Sequence, residues 1–428
     1  MEEIVKSILS KQGISLQKLS IRADIPFWTL WHARKGNLYL KTNQIKELNK
    51  LYKLPSLEVK PNGNILKNIN NTNYISLYNI LPEKSRNNFK LYSKNNNKKI
   101  LIWYQPLTRG STELLLPKYV LFDETFITGL GLSIGDGLNN PGIKNTHYNF
   151  SNTNLGLIKF NYDWLVNYFK LDKNKIQVYI VTPLKNKLNY QKQLVARLLK
   201  IDKNIIKIYK GYRHKKLVVV IQIGNAIFQC VYLNLFKKLK NNILNNKEYR
   251  ISFLKGLFAA EGHVKHSRYN TIESISFAFN PKTEKELALF IKTCLEKDSI
   301  NSKINEKGYL YICNYNNMLK FHSLGLIDLN KEKKDKFIRL CKNAKIHVYF
   351  KKGYVKKLIK TSQRKMADKL NICQPTISHY INKDFIKLNI AKIILNKKDL
   401  INNSKFIKVT NNVINNKENI DFMINNSY

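Results

Sequence analysis

The stretch Gly129-Leu130-Gly131-Leu132-Ser133-Ile134-Gly135-Asp136-Gly137 returns 125 residues later as Leu254-Lys255-Gly256-Leu257-Phe258-Ala259-Ala260-Glu261-Gly262. Both copies are apolar and small, and both hold a glycine five positions before a carboxylate and end on a glycine. On a helix, Gly131 and Gly135 fall one turn apart on one face, as do Gly256 and Ala260. Small residues at a contact let two helices approach closely, because side-chain size sets the interaxial distance. This pattern predicts a helix pair packed through Gly131, Gly135, Gly256 and Ala260. The closing glycines Gly137 and Gly262 suit left-handed helix caps. Ser133 and Lys255, motif positions without chemistry, read as helix surface. Side-by-side packing brings Asp136 and Glu261 out at the same end. Two carboxylates that close repel unless they share a proton or bind a cation.

The rest of the composition suggests what that cation serves. The chain has 428 residues, enough for several domains, and a formal charge of +45. Charge of that size points to a polyanionic partner. No apolar run approaches the roughly 18 residues that span a bilayer, so nucleic acid is favoured over a membrane. Met1-Glu2-Glu3 opens acidic and shows no secretory n-region, so a cytoplasmic, nucleoid-associated location is expected, or an organelle matrix. The abundance of Lys, Asn and Ile reads as the product of an AT-rich genome, expected to be prokaryotic. The five cysteines are scattered without a Cys-x-x-Cys pair. Buried reduced thiols are expected, not a zinc ribbon or a disulfide framework.

Patterning divides the chain into segments. Residues 1–54 read as short helices, with Leu16, Leu19, Ile25, Leu30 and Trp31 spaced to close a small core. The unit is similar to a phage-repressor helix-turn-helix with Phe27–Lys35 as recognition helix, which makes Thr29 and Arg34 candidate DNA contacts. Residues 55–99 are Asn- and Lys-rich and read as a linker with a few short elements. Strands are expected near Lys99–Gln105 and Thr112–Leu116. After the first motif, His147, Asn149 and Ser151 alternate with Tyr148 and Phe150. After the second, Ser274 and Ser276 alternate with Ile275 and Phe277. Period-two alternation gives each sheet one buried and one polar face. Residues 344–402 carry a second helix-turn-helix pattern, Gln363–Leu370, a turn, then Gln374–Ile381. Over residues 345–400 there are fourteen Lys/Arg against three Asp, a local +11. Gln374, Thr376, Ser378 and His379 fall on the exposed side of its second helix, with side chains suited to base edges and phosphates. The tail, 403–428, is Asn-rich and reads as frayed.

The paired nonamers, with Leu116-Pro117-Lys118-Tyr119-Val120 and Phe126 leading into the first, resemble the LAGLIDADG homing endonucleases in their two-motif, single-chain form. The resemblance covers roughly residues 100–343. It implies an α+β fold of two pseudo-symmetric αββαββα halves, 100–240 and 241–343, whose sheets form a DNA-binding saddle. The flanking units, read from their own periodicity, are expected to be all-α helix-turn-helix domains. The implied activity is hydrolysis of both strands of a long asymmetric DNA target by a protein expected to be monomeric. Asp136 and Glu261 supply hard oxygen ligands for Mg2+, expected as two or more ions, and by resemblance the carbonyls of Gly135 and Ala260 join the metal shell. The polar sheet faces, with His147, Asn149, Ser151, Lys265, Ser274 and Ser276, are implied to lie on DNA. Lys265 and Lys215 or Lys216 are candidates for the basic side chains that order solvent. His263 and His266 beside Glu261 raise zinc as a minor alternative. Two other functions are compatible with the same residues. One is a transcription regulator built on a LAGLIDADG-like domain, and the other is an intron maturase that clamps RNA.

Overall fold

The structure, a computed structural model, describes residues 2–35, 42–52, 66–67, 73–77, 89–94, 99–104, 112–136, 147–182, 188–210, 216–267, 271–342, 346–359, 361–409 and 412–426. The chain forms two compact units, Met1–Phe126 with Gly137–Lys240, and Ile127–Asp136 with Asn241–Tyr428.

The first unit opens with helices α1 (Glu2–Gln12), α2 (Leu16–Ala23), α3 (Phe27–Arg34) and α4 (Thr42–Tyr52). Val5, Ile8, Leu19, Ile25, Leu30 and Leu48 close their core. Ser15 caps α2, its hydroxyl accepting from the Lys18 amide at 3.2 Å. Next come β1 (Leu66–Lys67), β2 (Asn73–Ser76), β3 (Phe89–Lys94), β4 (Lys99–Tyr104), β5 (Thr112–Pro117) and β6 (Tyr119–Phe122). They build two antiparallel sheets, ordered β1-β2-β6 and β3-β4-β5. The stretch read as a linker therefore contributes paired strands. Its Asn content masked the alternation that buries Ile75 and Leu77.

Helix α5 (Glu124–Asp136) carries the first motif, and Asp123 caps it by accepting from the Phe126 amide at 2.7 Å. Its last ten residues belong to the second unit. The first unit continues with β7 (Tyr148–Asn152), α6 (Leu155–Phe169), β8 (Gln177–Thr182), α7 (Leu188–Leu199), β9 (Ile206–Lys210), β10 (Val218–Ile223) and α8 (Ala226–Asn245). The sheet order is β7-β10-β8-β9. The described elements therefore run α5-β7-α6-β8-α7-β9-β10-α8, with one strand between the first two helices where the expected αββαββα order has two, and with helix α7 and a strand β9 parallel to β8 placed before β10. Tyr148, Phe150, Val178, Ile180, Val219 and Ile221 form the buried face.

The second unit begins with α9 (Lys247–Glu261), β11 (Gly262–His266), β12 (Ile272–Ala278), α10 (Lys285–Lys297), β13 (Lys303–Ile304), β14 (Tyr309–Ile312) and α11 (Tyr315–Ser323). That is the αββαββα order, with an antiparallel sheet β11-β12-β14-β13. Arg250 ties the start of α9 to the end of α10, donating to both carboxylate oxygens of Asp298 at 3.0 and 2.7 Å. Both partners are buried, so a planar bidentate pair is the geometry that satisfies them.

Helix α12 (Lys331–Lys342) precedes a C-terminal part that is not all-α. Its elements are β15 (Ile346–Phe350), α13 (Tyr354–Leu358), α14 (Gln363–Leu370), α15 (Gln374–Lys383), β16 (Phe385–Lys387), α16 (Leu388–Ile394), α17 (Lys397–Asn403), β17 (Ser404–Val409), β18 (Asn412–Ile414) and α18 (Lys417–Asn426). Its four strands form one sheet, β16-β15-β17-β18, and the second helix of the turn motif meets it where Tyr380 and His379 lie 5.5 and 5.2 Å from Phe385 of β16, ring centre to ring centre. The residues read as a frayed tail form two strands and a helix with Ile407, Ile414, Ile420 and Met423 buried. Their apolar residues are sparse among asparagines, but these four land inside. Helix α18 packs on α11 and α12, where Phe422 meets His322 at 4.7 Å between ring centres. Cys294 and Cys341 are buried, whereas Cys230, Cys313 and Cys373 are exposed, so the expectation of buried thiols holds for two of the five.

Candidate active site

The two motif segments meet in the second unit at backbone contact. A Cβ added to Gly256 would lie 2.0 Å from the Thr128 carbonyl oxygen, and one on Gly131 would lie 2.2 Å from that of Phe253. One on Gly135 would lie 2.4 Å from the Ala260 Cβ. No side chain larger than hydrogen fits at Gly131 or Gly256 without moving a helix. Ser133 sits wholly buried in this packing, which corrects its reading as helix surface. Gly262 departs from its expected role as well. Its φ of −70° and ψ of 146° are extended, so it is the first residue of β11 and not a left-handed cap. Glycine is required there by packing, since a Cβ would lie 2.1 Å from the Phe258 ring. Gly137 lies outside the described residues.

Helix contact at Gly135 places the Glu261 side chain beside the end of the first motif, its Cγ 3.4 Å from where a Gly135 Cβ would stand. Burial raises the Glu261 carboxyl to about 7, with the charges of Asp136 and Glu284 adding to the rise against the opposing pull of Lys333. The two motif acids therefore act on one another electrostatically, as two carboxylates sharing a site must.

Lys333, on α12, is the residue sequence reasoning missed. Its ammonium donates to the carbonyl oxygens of Phe258, Ala259 and Ala260 at 3.0, 2.7 and 2.8 Å. These are carbonyls of the last turn of α9, where the Phe258 oxygen also accepts from the Gly262 amide and helix geometry leaves those of Ala259 and Ala260 without intrahelical donors. The negative end of the helix dipole adds to the attraction. Asn330 adds a weaker bond to the Ala259 oxygen at 3.3 Å. Burial pulls the Lys333 ammonium down to about 8, while Asp136, Glu261 and Glu332 push it back up. No spacing rule links a lysine 72 residues downstream to the motif, and only the packing of α12 brings it there.

Residues 248–324, spanning α9 to α11, match the family model of a LAGLIDADG-like domain. The chain carries a LAGLIDADG-like domain. No curated protein sequence matches the chain. Among solved structures, similar chains include mesophilic variants of the homing endonuclease I-DmoI, at 19% identity over 48% of this chain and 98% of that one, TM-score 0.27. Full-length DUF199/WhiA from Thermatoga maritima is similar at 15% identity over 63% of this chain and 91% of that one, TM-score 0.30. I-DmoI in complex with DNA and Ca is similar at 18% identity over 50% and 97%, TM-score 0.25.

The remaining candidate residues fall at different places. In the LAGLIDADG-like domain, Lys265 is half-buried, with its ammonium 4.8 Å from the centre of the Tyr309 ring. Ser274 and Ser276 are buried, not open, so their alternation does not put them on an accessible face. Ser276 instead lies between His263 and Tyr311 on the flanking strands. His263 is exposed and held below its ordinary range by partial burial and by the charges of Lys336, Lys265 and Lys333, while the His266 ring nitrogen approaches the Ser267 carbonyl at 3.1 Å. No cluster of three or more metal-ligating His, Cys, Asp or Glu exists among the described residues, so a zinc site has no support there.

In the first unit, Asn149 and His147 are half-buried and Ser151 is exposed. Gln222 and Gln177 stand in one row with Asn149 across three strands, three amides side by side. The alternation of Val218–Ile223 held the signal for Gln222. Lys216 is exposed in that unit, and Lys215 lies outside the described residues. Arg34, Gln374 and His379 are exposed, while Thr29, Thr376 and Ser378 are half-buried.

Proposed function

We propose that this protein is a divalent-metal-dependent endonuclease that hydrolyses both strands of a long, asymmetric double-stranded DNA site. The carrying observation is the pair Asp136 and Glu261, brought to one end of two helices by contact at Gly131, Gly135 and Gly256. The donor set suits a hard divalent cation such as Mg2+. Two carboxylates supply anionic oxygens and the Gly135 carbonyl stands beside Asp136 in sequence, whereas the Ala260 carbonyl accepts from Lys333. Such a metal, held by Asp136 and Glu261, would supply a water of lowered pKa and a positive charge against the reacting phosphate. The chain's own part is to hold Asp136 and Glu261 together against their repulsion and to keep a fixed cation, Lys333, at the back of the site. Its remaining basic surface, within a total charge of +45, holds the phosphate backbone.

Incubating the full chain with Mg2+ and a randomised duplex library, then sequencing any new ends, tests the proposal. Paired ends that recur at one sequence are expected, and Asp136→Asn or Glu261→Gln is expected to abolish them while leaving binding nearly intact. Equal cutting by either variant would refute the assignment. A second reading, a DNA-binding regulator on the same domain, is favoured by one observation: the Lys333 ammonium already occupies the Ala260 carbonyl. A library that yields bound duplexes but no ends in Mg2+ supports that reading instead.

A further inference from the structure

Two distant segments of the chain share one local architecture. Ser15–Arg34 and Ser362–Ile381 align without a gap, identical at Ser15 and Ser362, Lys18 and Lys365, Ile25 and Ile372, Thr29 and Thr376, and His32 and His379. The first serine of each caps a helix, accepting from the amide three residues on at 3.2 and 3.4 Å. The helix ends alike in both, at a left-handed residue with φ of 49°, Asp24 in one and Asn371 in the other. Past it, the Ile25 and Ile372 amides reach back five residues, to the Ser20 and Ala367 carbonyls, at 3.1 and 3.0 Å. A left-handed residue with that backward bond fixes the angle at which the next helix leaves. That second helix buries Leu30 and Ala33 in one copy and Ile377 and Tyr380 in the other. The exposed positions also correspond, with Phe27 matching Gln374, Trp28 matching Pro375, and His32 matching His379. Each window carries three Lys/Arg against one Asp.

What differs is the chemistry of the outward positions. Trp28 is 65% exposed and Phe27 38%, with Trp28 set edge-on against both Phe27 and Trp31. The corresponding pair at the other end is Gln374 and Pro375. We infer that the two segments are copies of one duplex-reading module with different base preferences, Phe27 and Trp28 meeting thymine methyl groups and Gln374 pairing with adenine. This rests on the reading of the chain as a duplex-DNA-binding protein. In the major groove only thymine offers a methyl group, which apolar side chains recognise, whereas an amide matches the N6 and N7 pair of adenine. The three exposed basic residues of each segment, Lys18, Arg22 and Arg34 in one and Arg364, Lys365 and Lys369 in the other, complement phosphates, which favours DNA over an apolar protein surface as the occupant.

The test is selection of bound duplexes from a random library by the full chain in EDTA, followed by sequencing. Three proteins are compared: wild type, Trp28→Ala, and the double substitution F27Q/W28P. Proline is tolerated in the first turn of a helix, so the double variant is expected to keep its fold, checked by far-UV circular dichroism and thermal melting. Wild type should select two flanking blocks, one rich in thymine. Trp28→Ala should lose preference in that block on the order of tenfold. F27Q/W28P should exchange it for the preference of the other block, and the rest of the site should be unchanged. Folded variants that select the wild-type sequences would overturn the inference and leave DNA binding standing. So would a loss of affinity equal for all sequences. A wild-type chain that selects no duplex at all would overturn the functional reading itself.

Discussion

Glu261 titrates where its surroundings matter most. Its ordinary carboxyl value of 4.5 is raised to about 7, so the folded protein favours the neutral acid. Stability from this group is then full below about pH 4.5 and is lost as pH rises through about 7. In EDTA, Glu261→Gln should leave the melting temperature unchanged near pH 4.5. At pH 8 it should raise it, by roughly 2–4 °C for each kcal/mol in a unit of some 200 residues. A divalent cation binds the ionised form, so Mg2+ should stabilise wild type more at pH 8 than at pH 5, and E261Q less at both. Parallel melts of the two proteins, equally displaced at every pH, would contradict the linkage. Lys333 is the opposing charge. Lys333→Met removes three bonds to the last turn of α9, each a bond from a charged donor worth about 1.5–3 kcal/mol. The variant is expected to melt lower, and its cleavage should set in at higher pH than in wild type because Glu261 loses a cation. An unchanged pH profile would leave Lys333 a purely structural cap.

At the scale of elements, the helix pair is the least forgiving part of the molecule. Replacing Gly256 by alanine puts a methyl 2.0 Å from a carbonyl oxygen, and helix backbone is the neighbour that must give. Overpacking of this kind typically costs about 1–3 kcal/mol. Gly256→Ala and Gly131→Ala should therefore lower the thermal midpoint and reduce cleavage through displacement of Asp136 and Glu261. Lys255→Ala, on a partly exposed position of the same helix, should do neither. Melting curves for the three variants decide this, and equal midpoints would mean that the helices tolerate separation. The C-terminal strands and α18 are a second case. Phe337 stacks on His322 with ring centres 5.1 Å apart, and Phe422 covers the same histidine, so deleting residues 346–428 strips the apolar partner from α11 and α12. The truncated chain should be less stable than the full chain, as read by urea unfolding.

For the whole molecule, the governing quantity is charge. With a net +45, binding to duplex DNA should weaken steeply with salt, each neutralised phosphate adding about 0.9 to the slope of log affinity against log salt. Neutralising exposed Lys369 and Lys383, on α14 and α15, should make that slope shallower by roughly one for each phosphate that no longer has its cation, without altering which sequence is selected. Titrations at several salt concentrations measure it, and an unaltered slope would place the C-terminal turn motif away from DNA.

Much of this was legible in the residues alone. The recurrence of a glycine five positions before a carboxylate is a local pattern, and period-3.6 and period-two alternation are local too, so the motif helices, most strands of the two sheets and both turn motifs were readable in sequence. The closeness of Asp136 and Glu261 followed as well, because glycine at Gly131 and Gly256 has no better physical explanation than a close helix contact. What sequence could not reveal depends on long-range packing. Lys333 reaches the Ala260 carbonyl only because α12 folds back over α9. Ser274 and Ser276 alternate like surface residues but are enclosed by their neighbours in the sheet. The Asn-rich C-terminal residues look unstructured one by one, yet they form a sheet and a helix because their scattered isoleucines find a common core. Periodicity decides which face of an element is apolar, and only tertiary structure decides what comes to cover it.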